Sequence, residues 1–328
     1  MKRIVITIIL AVAIFTGYAQ QKKYDIRDNW RLALTYYNAA DYEKALPLLY
    51  NVYEKSRNET YFRYYISCMV KLKRYDEALE KIQKEIKKQR PPRPEYIIHK
   101  GYVLKQASRN AEAAAVFKEI IEKIPQNKAS YIITGNAFTS WGEYDYARQT
   151  YLKGRKVLAP EKFSYELARA SYFLHDYGQM LDYYLDLIGE NKNRLNLVQN
   201  SLLSAMRQDI DNELRDKFRE KLLKRIQSNP DITIYNRLLV WFFLQEKKFS
   251  SALRQLVALD RRTGKEDTQI LQLGNAALNN HSYDDAQKAF DYLLKKGEKN
   301  TYYRQAYAMK IKAAYQQYET RHICWLLP

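Results

Sequence analysis

The chain has 328 residues, with 55 Lys and Arg against 37 Asp and Glu, a formal charge of +18, 30 Tyr and two Cys. A single compact core rarely grows past ~250 to 300 residues, so the length points to two domains or an elongated array. Ten Gly and eight Pro are under half the roughly 12% share of an average protein, which argues against turn-dense β-sandwiches and doubly wound sheets.

Lys2 and Arg3 precede an apolar run from Ile4 to Phe15 that closes with Thr16-Gly17-Tyr18-Ala19-Gln20. A charged start, an apolar stretch and small residues three and one before the cut predict a secretory signal over 1–19, cleaved after Ala19. As a helix the run rises only about 18 Å against a ~30 Å hydrocarbon core, so a membrane anchor is the weaker reading. The expected product is exported, periplasmic or extracellular, with a short lead-in (20–25) and no transmembrane anchor. No Cys follows the cut, which closes lipidation there. Cys68 falls in a helical stretch and reads as a small buried residue, while Cys324 lies in the last five residues; pairing between them is left open.

Downstream, one phrase recurs: an aromatic residue, two mostly polar residues, a small residue, then a large apolar residue four further on. In chain order it is Tyr42 to Ala45 with Leu49, Tyr75 to Ala78 with Ile82, Ala113 with Phe117, Tyr144 to Ala147 with Tyr151, and Tyr177 to Met180 with Tyr184. Phe249 to Ala252 with Leu256 and Tyr283 to Ala286 with Phe290 follow. Measured at the fourth residue the spacings are 33, 35, 34, 33, then 72, then 34. The 72 holds two periods, with Leu214 and Phe218 as a degenerate member. Each phrase predicts the start of a second helix, preceded by a first helix with its own small and large positions: Gly101 and Leu104, Gly135 and Phe138, Leu273-Gly274. Small residues at the eighth and twentieth positions of a unit let two backbones approach, and large ones beside them fill the space.

A period near 34 is the mark of a repeat array. The pattern resembles the tetratricopeptide repeat family, over 26–318. Units are expected to start near Ile26, Glu59, Pro94, Lys128, Glu161, Leu195, Thr233, Asp267 and Thr301. The cluster Arg90-Pro91-Pro92-Arg93-Pro94 reads as a turn between the second and third units, not a linker. The resemblance implies an all-α, right-handed superhelical solenoid of antiparallel helix pairs: about eight full repeats, the first helix of a ninth, and an irregular tail over 319–328. Trp30 one place late, Met69 and Met180 depart from the family pattern and blur unit boundaries.

Chemistry is sparse. His99, His175, His281 and His322 are scattered without metal-ligand spacing, and neither a phosphate loop nor a Gly-x-Ser-x-Gly elbow occurs. No enzyme, metal or cofactor is expected. The resemblance instead implies a concave groove lined by positions 2, 5, 9, 12 and 13 of each unit. Position 5 is Trp30, Arg63, Ile98, Ile132, Tyr165, Arg237 and Leu271; position 9 is Leu34, Ser67, Tyr102, Asn136, Arg169, Trp241 and Asn275; position 12 includes Tyr37, Lys105 and Tyr172. Aromatic and Arg side chains there suit a protein or peptide partner. The alternative for the same residues is ordinary packing between repeats. No Lys/Asn carboxylate clamp is present, since Ile132 precedes Asn136 and Leu271 precedes Asn275.

The basic runs Lys81 to Arg93, Arg215 to Arg225 and Lys295 to Lys299 fall on second helices and are broken by acidic residues, unlike a nucleic-acid stripe. An anionic envelope surface is the more plausible electrostatic partner. The reading is a non-catalytic interaction scaffold of the cell envelope. Two alternatives stand beside it: a carbohydrate- or envelope-polymer-binding module, and an accessory region of a larger protein. The closing Ile323-Cys324-Trp325-Leu326-Leu327 either folds over the last helix or precedes missing sequence.

Overall fold

The computed structural model describes residues 26–323. The expected signal (1–19), the lead-in and Cys324 lie outside that range. The described residues form seventeen α-helices, one short 3-10 turn and no strand. First helices are α1 (26–38), α3 (Glu59–Lys71), α5 (Pro94–Gln106), α7 (Lys128–Ser140), α9 (Ser164–Phe173), α11 (Leu195–Met206), α13 (Thr233–Gln245), α15 (Asp267–Asn279) and α17 (Tyr303–Ile323). Alternating with them are α2 (Tyr42–Ser56), α4 (Tyr75–Lys88), α6 (Asn110–Glu122), α8 (Tyr144–Val157), α10 (Tyr177–Glu190), α12 (Glu213–Ser228), α14 (Phe249–Thr263) and α16 (Tyr283–Leu294).

Local chemistry sets the helix starts. Asn58 accepts from the Thr60 amide at 2.8 Å and Asn127 from the Ser130 amide at 2.9 Å, capping α3 and α7. Pro94 opens α5 after an extended Arg93, where its missing N–H costs nothing. In α4, Asp76 and Glu77 sit in the first turn and Lys87 and Lys88 in the last, each matched to the helix dipole. Two boundaries differ from the sequence expectation. Pro160 and Phe163, held at φ 49°, delay α9 to Ser164. Residues 319–323, expected to be irregular, continue α17 to Ile323.

Within a pair, glycine permits the close approach. A Cβ on Gly101 would stand 2.2 Å from the Phe117 ring, and one on Gly135 would stand 2.3 Å from the Tyr151 ring. Phe117 and Tyr151 are 1% and 2% exposed. The eighth position of the first helix therefore receives the large residue at position 24 of the second.

Seven of the eight hairpins turn through one left-handed residue: Ala40, Lys73, Ser108, Gly142, His175, Lys247 and His281, with φ between 54° and 75°. The next amide then reaches back to a first-helix carbonyl, as Arg74 N does to Met69 O at 2.9 Å and Ser282 N to Ala277 O at 2.9 Å. This is the Schellman closure, with helix-end carbonyls satisfied by the turn. Two of the four histidines occupy this turn position, and their rings meet Tyr177 and Tyr283.

The chain divides into two compact units, one ending at Glu166 and the other starting at Leu167. The first is built on a core of Ala33, Leu49, Phe62, Ile66, Met69, Ile82 and their neighbours. Leu256, Ile270, Leu273, Ala286, Phe290 and Leu293 lie in the core of the second. In the degenerate repeat, α12 still buries Leu214 and Phe218 at 1% and 0% exposure.

Candidate partner-binding surface

In the first unit the expected groove positions converge. Trp30 on α1 packs its ring 4.6 Å from Tyr61 and 5.1 Å, edge-on, from Tyr64 of α3. Tyr37 stands 5.2 Å from Tyr64 and its hydroxyl shares a 2.6 Å hydrogen bond with Ser67. The Arg63 guanidinium lies 4.9 Å over Tyr64 and 5.9 Å over Trp141, and donates to the Ser140 carbonyl at 3.4 Å. Tyr102 of α5 stacks on Trp141 at 3.8 Å with 20° between planes. Lys105 holds both oxygens of Glu143, at 2.7 and 2.9 Å.

Arg63 reaches from α3 to the C-terminal end of α7, past α5. Only first helices drawn together at that end permit such a span, so this face is the inner curve of the first unit. Burial pushes the Tyr37 and Tyr102 hydroxyls up, leaving both neutral donors at physiological pH. Trp141 was absent from the expected set because it follows α7, outside the family's groove positions. Its signal was a Trp set between Ser140 and the turn glycine Gly142.

Other expected residues are placed differently. Ile98 is fully buried and Leu271 is 5% exposed; both are core, because an aliphatic side chain gains more against the neighbouring helix than facing water. Leu34 and Ile132 are half-buried and Asn136 is exposed, its side-chain oxygen accepting from Tyr151 at 3.1 Å. On α9, Tyr165 is half-buried and Arg169 exposed.

The second unit is more dispersed. Tyr172 donates to Gln208 at 2.6 Å. Trp241 and Asn275 are half-buried. Arg237 is committed to an ion pair at 2.8 Å with Glu266, whose side chain is 0% exposed. The Glu266 backbone amide in turn donates to Asp260, which also takes hydrogen bonds from Tyr292 and Lys296.

The basic runs behave as a solvated face. An open cavity of about 530 Å³ between α10 and α12 is lined by Lys217, Lys221, Lys224 and Arg225. Each cation already holds a carboxylate: Glu213, Asp182, Glu220 and Asp186 respectively, at 2.5 to 2.7 Å. Among the described residues no helix is long and apolar enough to cross a membrane.

The hairpin geometry and its period meet an independent sequence signal at residues 271–317, which match the tetratricopeptide repeat family model. Residues 271–317 thus carry a tetratricopeptide repeat, within an all-α array of helix hairpins. No curated protein sequence matches it. Among solved structures, it is similar to a tetratricopeptide repeat protein from Parabacteroides merdae ATCC 43184, at 10% identity over 88% of this chain and 99% of that one, with a TM-score of 0.27. It is also similar to yeast Tom70, at 10% identity over 90% of this chain and 97% of that one, with a TM-score of 0.26. In the first unit the aromatic and cationic groups of α1, α3 and α5, with Trp141 after α7, form the candidate surface.

Proposed function

We propose that the protein is a non-catalytic scaffold of the cell envelope, exported by its N-terminal segment, that holds a protein or peptide partner against the inner first-helix face of its first four repeats. The observation that carries this reading is the chain of ring and cation contacts that runs from Trp30 and Tyr37 through Tyr64 and Arg63 to Trp141 and Tyr102. These rings and cations are already locked by one another, so a partner would meet them with little loss of rotamer entropy. Tyr, Trp and Arg are also the residues that dominate binding energy at interfaces. The family fold is in keeping with protein binding and is typical of non-catalytic scaffolds.

The test is affinity capture from envelope extract, comparing the protein with a variant carrying Trp30→Ala, Arg63→Ala and Tyr102→Ala. A species retained by the parent and lost by the variant supports the reading. Identical retention by both sinks it.

A further inference from the structure

The helix α17 differs from every other first helix in one respect. Position 15 of a unit, left-handed at Ala40, Lys73, Ser108, Gly142, His175, Lys247 and His281, is Tyr315 here, and it is helical. The helix therefore runs on for 21 residues. One side packs on the preceding repeat: Ala306 and Ala313 are 0% exposed, Lys310 meets Asp291, and Gln317 bonds with Gln287 and Asp284. The other side carries Tyr307, Ile311, Tyr315 and Tyr318 at 56%, 56%, 60% and 62% exposure. Their spacing of four, four and three places them in one stripe. It is the side that α5 and α7 turn toward their own second helices, because Ala308 is the counterpart of Gly101 and Gly135. A contiguous apolar stripe of this kind marks an interaction surface.

We propose that this stripe pairs with the same stripe of a second copy, α17 against α17 in antiparallel order, to form a two-fold symmetric dimer. The helix carries both halves of the complement its repeats use. Ala308 offers the small position and Tyr318 the large one; antiparallel pairing that sets Ile311 against Tyr315 also sets Ala308 against Tyr318. Such self-complementarity is what a two-fold interface demands. Charge agrees, because Arg304 lies at one end of the stripe and Glu319 at the other, so antiparallel order brings opposite charges together at both ends. Four large side chains, each exposing somewhat over half of a surface of 150 to 250 Å², bury on the order of 1,000 Å² over both copies. That is the low end for a specific interface. The expected affinity is accordingly in the micromolar range.

Sedimentation equilibrium of the purified protein across micromolar concentrations tests this. The expected result is a mass that rises from one chain toward two. Ile311→Arg should hold it at one chain with helicity unchanged. Arg304→Glu alone should weaken the dimer about tenfold, and adding Glu319→Arg should restore it. A single chain at every concentration would overturn the proposal. A dimer indifferent to Ile311→Arg, or a charge-reversed pair that fails to recover, would do the same.

Discussion

Trp141 donates its indole N–H to Nδ1 of His99 at 2.8 Å. The bond fixes a fully buried imidazole as the neutral tautomer protonated on Nε2, which lies 3.3 Å from Glu59 Oε1. It also anchors the ring on which Tyr102 stacks. Burial holds the His99 pKa below its ordinary 6.5, with Glu59 and Glu95 opposing. A second proton would have to displace the Trp141 donor. Burial pulls Glu59 upward, but the nearby His99 ring and the Arg63 and Arg93 charges outweigh it and leave its carboxyl below 4.5.

A pH dependence follows. With its folded pKa depressed, His99 contributes stability that is fully present above 6.5 and declines as pH falls below that value, because the unfolded chain binds the proton first. The Glu59 contribution is lost only below about 4.5, outside this window. Urea midpoints should fall between pH 7 and 5, and a His99→Gln variant, though less stable at pH 7, should show a flatter profile. Equal slopes for the two proteins would contradict the account.

Gly135→Ala should cost roughly 1 to 3 kcal/mol, because its methyl would enter the Tyr151 ring in a core with no room to yield. Gly178→Ala is the control, since its nearest neighbour would be 3.7 Å away. The comparison needs only urea unfolding. Pairing Gly135→Ala with Tyr151→Leu should recover part of the loss if the clash is its cause.

Arg237 separates a groove residue from a structural one. Arg237 is itself 41% exposed, so the pair is half-buried, and removing the cation strands the buried Glu266 side chain at a cost of about 1 to 3 kcal/mol. Arg237→Ala should therefore destabilise the protein, while Arg237→Ala with Glu266→Gln should be more stable than the single variant. A single variant of normal stability would return Arg237 to the partner surface.

Burial pushes the Cys68 thiol up to about 12, and its Sγ donates to the Tyr42 carbonyl at 3.1 Å. Thiol reagents act on the thiolate. Cys68 should stay unlabelled by iodoacetamide in the folded protein at pH 8 and react once urea unfolds it; labelling at the rate of an exposed thiol would contradict its burial.

The fold was legible because packing in a helix pair demands particular sizes at particular places. The aromatic-then-small phrase marks the starts of α2, α4, α8, α10, α14 and α16 since its small residue faces a close-approaching backbone. The surface was harder to read. Position 5 is inner-facing for Arg63 but core for Ile98 and Leu271, because side-chain polarity and small helix rotations decide between two available environments. Trp141 gave no periodic signal: it belongs to a turn. In the 72-residue gap the turn is longer, with left-handed Asn212 placed just before α12, so the phrase lost its spacing there.

The left-handed turns have a consequence for how this array tolerates change. Six of the seven are built on residues with a side chain, each forgoing roughly 1 kcal/mol that glycine would recover. Lys73, Ser108 and Lys247 are thus ready points for strengthening the protein by single glycine substitutions. They also show that one bend, closed by the same backbone hydrogen bonds, is held in this chain by residues as different as Ala, Lys, Ser and His.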